Sequence, residues 1–401
     1  MENMYSEKSE RRSLALFCKV VDNYGDVGIC WRLSQQLSRE HDIAVTLWID
    51  DLNTLQRLWP ETVINTEMQV LAGVTVRYWQ STPHVFHPND IADIVIEFFG
   101  CEIPEAYVAA MAQCTPPPVW LNLEGLTAEK WVEGCHTLPS PHPRFPLTKY
   151  FFFPGFAART GGLIRERSLL ERRRLFEVNR SDRESFLRQL GVIPVEAQAK
   201  MISLFCYPHA PVTALFEAWQ DADSAITCLV PEGVAVDAIQ AFLGAPVEPG
   251  AVRTRGALTV RVLPFVAQPD YDKLLWVCDV NFVRGEDSFV RAQCAGKPFL
   301  WHIYPQDKNL QHVKLRAFLQ RYADDNRALV DASLHWNDAV PPTAGPTDGW
   351  PGLWRRFELD ALKITSRSAS WTVQMQAHGE MTMNMLKFAA AVASKNTENP
   401  L

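Results

Sequence analysis

The sequence predicts an α/β protein made of two doubly wound halves, and three observations lead there. The chain has 401 residues, whereas a single hydrophobic core stops growing at roughly 250–300 residues, so two domains are expected. Up to residue 123, short apolar runs rich in β-formers alternate with segments of helical period. After an irregular stretch at 139–180 the same alternation restarts. Near-continuous apolar strands separated by helices mark parallel sheets covered on both faces.

In chain order, residues 14–21 form the first apolar run and 43–49 the second, and between them Ile29, Leu33 and Leu37 recur at helical spacing. Runs at 74–79, 91–99 and 119–123 continue the strands, with 104–114 a helix opened by Pro104. From 139 to 180, prolines, the aromatic run 150–153, Gly161-Gly162 and the basic residues 172–174 interrupt any period, so the end of the first domain and a crossover are expected. In the second half, strands are expected at 201–207, 226–230, 258–266, 280–283 and 299–303. Helices are expected between them at 212–219, 235–243, 271–278 and 288–295. The Pro- and Gly-rich segment 341–352 reads as a surface excursion, and 373–394 as one Met- and Ala-rich docking helix.

Composition narrows the classes. The chain is 47% hydrophobic and 21% charged, which excludes wholesale disorder. The net charge of −7 argues against a nucleic-acid binder, although one basic pocket can sit within such an average. No apolar run nears the roughly 18 residues of a membrane span. Lys19 and Asp22 break the first apolar stretch, so it does not read as a signal peptide. The nine cysteines are odd in number and none has CxxC spacing, so reduced thiols of a cytosolic protein are expected rather than disulfides or zinc.

Two segments carry chemistry. The first strand runs into Val21-Asp22-Asn23-Tyr24-Gly25-Asp26-Val27-Gly28, a glycine-bearing turn at the carboxyl edge of the sheet, where doubly wound folds bind ligands. A dinucleotide fold needs GxGxxG here. Only Gly25 and Gly28 are present, and Asp22 and Asp26 oppose an anionic cofactor, although Asp50 and Asp51 stand where a ribose-binding acid belongs. Asp22 or Asp26 as a plain helix cap is the structural alternative. The second segment, Asp279 to Arg291, reads strand, Gly285 turn, then helix, and a helix start presents free N–H groups to a diphosphate. Arg284 sits at that turn and Ser288 offers backbone and hydroxyl donors. Glu286 and Asp287 are placed to accept from sugar hydroxyls, or, for Asp287, to cap the helix. Phe205, Tyr207 and Phe265 lie at other sheet edges and suit stacking on a base, or the core. A metal reading of His84, His87 and Asp90 is weak, because a proline and no helical pattern surround them.

The opening Asp22-Asn-Tyr-Gly-Asp26-Val-Gly-Ile-Cys-Trp31-Arg32, the block Arg284-Gly-Glu-Asp-Ser-Phe-Val-Arg291-Ala-Gln-Cys-Ala-Gly-Lys-Pro298 and the following Trp301-His-Ile-Tyr-Pro-Gln-Asp307 resemble the elongation factor P arginine rhamnosyltransferase family. The resemblance covers nearly the whole chain. It implies a GT-B fold, two Rossmann-like domains facing across a cleft, with the C-terminal helix packed back on the first. The limits are then a tail at 1–13, an acceptor-side domain at 14–180 completed by 368–401, and a nucleotide-sugar domain at 181–367. It implies inverting transfer of L-rhamnose from dTDP-β-L-rhamnose to an arginine of elongation factor P, which activates the factor for ribosomes stalled at polyproline. No metal or other cofactor is expected, and the chain is expected to be a cytoplasmic monomer with no membrane or nucleic-acid partner. By the same resemblance Asp26 is the general base, Asp22 its companion and Glu286 the essential acid of the donor site. Asn23, Tyr24 and Gly25 join the donor site from the first turn. Phe205, Tyr207, Phe265 and Gln268 contact the nucleotide, and Arg284, Gly285, Asp287 and Ser288 the diphosphate and sugar. The alternatives are a GT-B enzyme with another donor or a small-molecule acceptor, an NAD-dependent oxidoreductase, and a non-catalytic nucleotide-sugar binder.

Overall fold

Two mainly parallel sheets organise the chain, each grown in both directions from its own first strand. The computed structural model describes residues 11–22, 24–79, 85–339 and 349–398. Among these, the first sheet comprises β1 (Ser13–Cys18), β2 (Ala44–Ile49), β3 (Met68–Leu71), β4 (Val74–Tyr78), β5 (Ile94–Phe98), β6 (Val119–Leu123), β7 (Pro139–Pro141) and β8 (Thr148–Phe152). Its order is β3-β4-β2-β1-β5-β6-β8-β7, antiparallel only where β3 and β7 close the edges. The second comprises β9 (Lys200–Leu204), β10 (Ile226–Pro231), β11 (Val252–Arg255), β12 (Leu258–Leu263), β13 (Val280–Arg284) and β14 (Phe299–His302). Its order is β11-β12-β10-β9-β13-β14, antiparallel only at β11.

The expected strands are present because their residues are covered on both faces. Leu14 to Cys18 in β1 and all of β5, β6 and β10 are buried, which is why they read as apolar runs rather than as alternations. In each sheet the first strand lies between one neighbour that follows it directly and one that arrives later, so β1 and β9 both stand at the point where the strand order reverses. The turns that leave these strands are the natural ligand positions of such sheets.

The chain divides into two units, and the boundaries differ from the expected ones. The first unit takes the described residues up to Leu126, then Lys130–Glu166, and the segment from His378 onward; the second takes Thr127–Glu129 and Arg167–Ala377. The chain therefore leaves the first unit at Glu166 rather than at 180. The helix Leu169–Val178 belongs to the second unit because Arg173 Nη1 donates to Cys294 O at 2.7 Å and Phe176 packs 5.6 Å from Trp276. The return falls at His378 rather than 368 because Trp371 Nε1 donates to Gln293 Oε1 at 2.8 Å, and Thr372 Oγ1 to Gln293 O at 2.6 Å.

One further expectation is corrected. The single helix at 373–394 is two, Ala361–Gln376 and Met381–Glu398, broken where Gly379 takes φ +76° and lies so close to Asn384 that a Cβ would approach it to 3.1 Å. Most of the aromatic run at 150–153, in the stretch expected to end the first domain, lies in β8, parallel to β6. Of the segment 341–352, residues up to 348 lie outside the described residues and Gly349 opens the helix Gly349–Leu359. The tail 1–13 lies outside them up to residue 10. All nine cysteines, which lie among the described residues, are thiols rather than halves of disulfides. No helix of the described residues is long and apolar enough to cross a membrane.

Two helices of the second unit, Gln268–Val277 and Asp287–Ala295, are locked by a buried bidentate ion pair, Arg291 Nε to Asp272 Oδ1 at 2.7 Å and Nη2 to Oδ2 at 2.5 Å. Removing one partner strands the other charge in the interior. Asp272→Ala is expected to destabilise the second unit by about 3–5 kcal/mol, read as a lower urea midpoint.

Candidate active site

The first strand–helix turn is braced by carboxylates. The helix Tyr24–His41 starts immediately after Asn23, which lies outside the described residues. Asp26, in its first turn, is 4% exposed, and its Oδ2 accepts from the backbone N–H groups of Val21 and Asp22, each at 2.8 Å. The carboxylate thus ties down the incoming loop, which is more than the plain helix cap considered from sequence. Burial raises its pKa above the ordinary carboxylate range; the two N–H groups pull it down, and Asp50 adds to the rise. Asp50 Oδ1 itself accepts from Val20 N at 2.9 Å, so it braces the same turn rather than holding a ribose. Asp51 caps the helix Leu52–Leu58 by accepting from Asn53 N at 2.9 Å and Thr54 N at 3.2 Å.

Asp22 lies over Gly25. Gly25 N donates to Asp22 O at 2.7 Å, and a Cβ at position 25 would stand 2.7 Å from Asp22 Oδ2. Glycine is needed here for the room it leaves the carboxylate. The Tyr24 hydroxyl accepts from Arg57 Nη1 at 2.9 Å. The helix behind the turn is anchored far from its start: Arg32 pairs with Glu166 at 2.9 Å, Gln36 Nε2 donates to Arg165 O and Glu380 Oε2, and His41 meets Thr382 Oγ1 at 2.8 Å.

The second turn, in the other unit, carries positive charge. Gly285 takes φ +60° between β13 and the helix Asp287–Ala295, and Trp301 Nε1 fixes its carbonyl at 2.7 Å. Glu286 occupies the cap position without a side-chain capping bond, which leaves the first-turn N–H groups to other acceptors. Arg284 is held by aromatic faces: its guanidinium carbon lies 4.4 Å from the Phe205 ring and 4.8 Å from the Tyr207 ring, and Nη1 donates to Cys206 O at 3.2 Å. Phe205 and Tyr207, expected to contact the nucleotide, thus both lie against this arginine. Phe265 is 41% exposed. Gln268 Nε2 donates to Asp287 Oδ2 at 3.2 Å, which ties two expected site residues together. Ser288 Oγ accepts from Arg284 N at 3.1 Å and donates to Arg284 O, so its hydroxyl is engaged by backbone here.

Sequence reading missed His302 and His209. His302 Nδ1 accepts from Tyr207 N at 3.1 Å, and burial first, then His209 and Arg284, push its pKa down to about 3. It is therefore a neutral ring whose other nitrogen carries the proton. It stands in the block Trp301–Asp307 quoted above, without a role assigned there, and pairs across the strands with Arg284. Of the metal reading, His84 lies outside the described residues; among these no three His, Cys, Asp or Glu side chains converge.

The family model described as elongation-factor P (EF-P) rhamnosyltransferase EarP matches residues 14–390. A protein-arginine rhamnosyltransferase of Pseudomonas putida is 51% identical over 353 residues, 86% of this chain and 92% of the relative. One of Pseudomonas aeruginosa is 43% identical over 381 residues, 94% of this chain and 98% of the relative. A solved structure described as the structural basis for EarP-mediated arginine glycosylation of translation elongation factor EF-P is 34% identical with a TM-score of 0.66, covering 95% of this chain and 99% of its own. The fold is that of the GT-B class, with two α/β units on mixed, mainly parallel sheets.

A buried carboxyl whose pKa is raised by folding adds stability below its unfolded value near about 3.9 and loses it as pH rises through the folded value. An amide oxygen keeps both N–H bonds of Asp26 without the charge. Asp26→Asn is therefore expected to gain stability over the parent between about pH 4 and pH 7, measured by thermal melting at both; a gap moving the other way contradicts the assignment.

Proposed function

Because the chain belongs to the elongation-factor P rhamnosyltransferase family, and so is a glycosyltransferase, we propose that it transfers L-rhamnose from dTDP-β-L-rhamnose to an arginine nitrogen of elongation factor P, with inversion and without a metal. The observation that carries this reading is Asp26: a buried carboxylate of raised pKa, bound through one oxygen by backbone and standing with Asp22 at the ligand edge of the first sheet. Two acids suit a cationic acceptor and oppose an anionic cofactor. The missing glycine fingerprint further disfavours the NAD alternative.

The chemistry is demanding. A guanidinium has a pKa above about 12 and is a poor nucleophile. A carboxylate near about 4 cannot remove its proton beforehand, since a gap of about 8 units exceeds ~10 kcal/mol. Asp22 and Asp26 instead bind the cation and orient one nitrogen towards the anomeric carbon. The proton passes to Asp26 as the C–N bond forms, because the attacked nitrogen becomes more acidic along the reaction. Burial of Asp26 raises its basicity for that step. On the donor side, Arg284 and the N-terminus of the helix Asp287–Ala295 stabilise the leaving diphosphate, the work a cation does elsewhere. Glu286 and Asp287 accept from sugar hydroxyls, and Phe265 stacks on the base.

Incubation of the protein with dTDP-rhamnose and elongation factor P is expected to add one deoxyhexose to the factor by intact mass. Asp26→Asn is expected to lose turnover by about 100-fold or more, the scale of general-base loss, while still binding donor. Full turnover in that variant would remove the assigned base. Glu286→Ala is expected to weaken donor binding in a calorimetric titration, and an unchanged isotherm would count against its role.

A further inference from the structure

Among the described residues, a single buried hydroxyl has no hydrogen-bond partner, that of Tyr271. Folded proteins rarely leave such a group unpaired without a reason. Tyr271 lies in the helix Gln268–Val277, three residues after Gln268 and on the same side of the helix. That side meets the first turn of the helix Asp287–Ala295: Gln268 Nε2 reaches Asp287 Oδ2 at 3.2 Å, and the Tyr271 ring lies 5.8 Å from that of Phe205. The Asp272–Arg291 pair locks the two helices at the adjoining position, so this approach is fixed. Burial above all drives the phenol's pKa upward, keeping the group a neutral O–H donor; the Ser288 hydroxyl, near enough to act on it as a hydrogen-bonding group, pulls the other way, as does Arg284, while Asp287 adds to the rise.

Ser288 is the partner within reach. Its Oγ accepts from Arg284 N and donates to Arg284 O, which uses its one proton and leaves a lone pair outside those two bonds. We propose that Tyr271 is a positioning residue of the nucleotide-sugar site. A diphosphate oxygen arriving at the helix N-terminus takes the Ser288 proton contact from Arg284 O, and Tyr271 then donates its O–H to Ser288 Oγ. A hydroxyl that donates to an anion becomes a better acceptor, so the two bonds strengthen each other. The cost of the unpaired phenol in the free protein thereby becomes affinity for ligand. This inference rests on the donor-side role given above to Arg284, Asp287 and Ser288.

The test uses the full chain, thymidine diphosphate as the probe, and three variants: Tyr271→Phe, Ser288→Ala and the two combined. Tyr271→Phe removes an unpaired polar atom, so its ligand-free melting temperature is expected to equal or exceed the parent's. Its affinity for thymidine diphosphate by calorimetry is expected to fall about tenfold. In the Ser288→Ala background the same change is expected to cost less than about twofold, because the bond it removes no longer exists. Parent-like affinity in Tyr271→Phe, a lowered melting temperature in that variant, or a tenfold loss that persists without Ser288 would each overturn the proposal. A parent that fails to bind thymidine diphosphate would instead bring down the donor reading, and this inference with it. Normal parent binding with an unaffected Tyr271→Phe removes the role of Tyr271 alone.

Discussion

A parallel strand with neighbours on both sides has no free edge, and everything its chain does next happens at its carboxyl end. β1 and β9 are in that position, each flanked by partners whose connections run to opposite sides of the sheet. The turn after each strand is left uncovered by neighbouring crossovers, and side chains there can be polar without disturbing a core. Asp22 and Asp26 follow β1; Phe205 and Tyr207 follow β9, beside Arg284 at the end of β13. The remaining architecture, helices and aromatic core alike, keeps these strand ends in register.

The two turns solve opposite electrostatic problems in related ways. In the first unit a carboxylate is buried and kept in place by backbone N–H donors, with Asp50 close enough to disfavour its charge. In the second a guanidinium is spread over two aromatic faces and donates to a backbone carbonyl. Both charges are oriented by groups that cannot titrate away near neutrality. A neutral His302 beneath Tyr207 extends this, since its depressed pKa keeps a second positive charge from competing with Arg284.

Much of this was legible in the sequence, and the reasons differ by element. The buried strands were readable because coverage on both faces turns them into apolar runs, and the two site turns because glycine and charge interrupt those runs. The edges β3, β7 and β11 were not, since strands of three or four partly exposed residues carry little pattern. β8 hid because Tyr150 and Phe151 are only partly buried, although Phe152 is buried, and prolines flank the run. The helix break at Gly379 was invisible because one glycine inside a helical period is tolerated unless tertiary contacts, here with Asn384, demand its conformation. Within the candidate site, the sequence named residues but not their partners. Phe205 and Tyr207 hold Arg284, Ser288 serves backbone, and Tyr271 reads in sequence as an ordinary core residue.

The order in which the chain visits its two units bears on how it is made. The last helix, Met381–Glu398, belongs to the first unit, where Glu380 and Thr382 meet Gln36 and His41. The intervening stretch Arg167–Ala377 is a whole second unit. On a ribosome adding about 5–20 residues per second, the first sheet waits roughly 10–40 s for its closing helix while a later-born unit finishes folding. The oldest part of the nascent protein is thus the last to be completed, with the side of β6 and the flank of its first helix that the last helix covers left open in the interval.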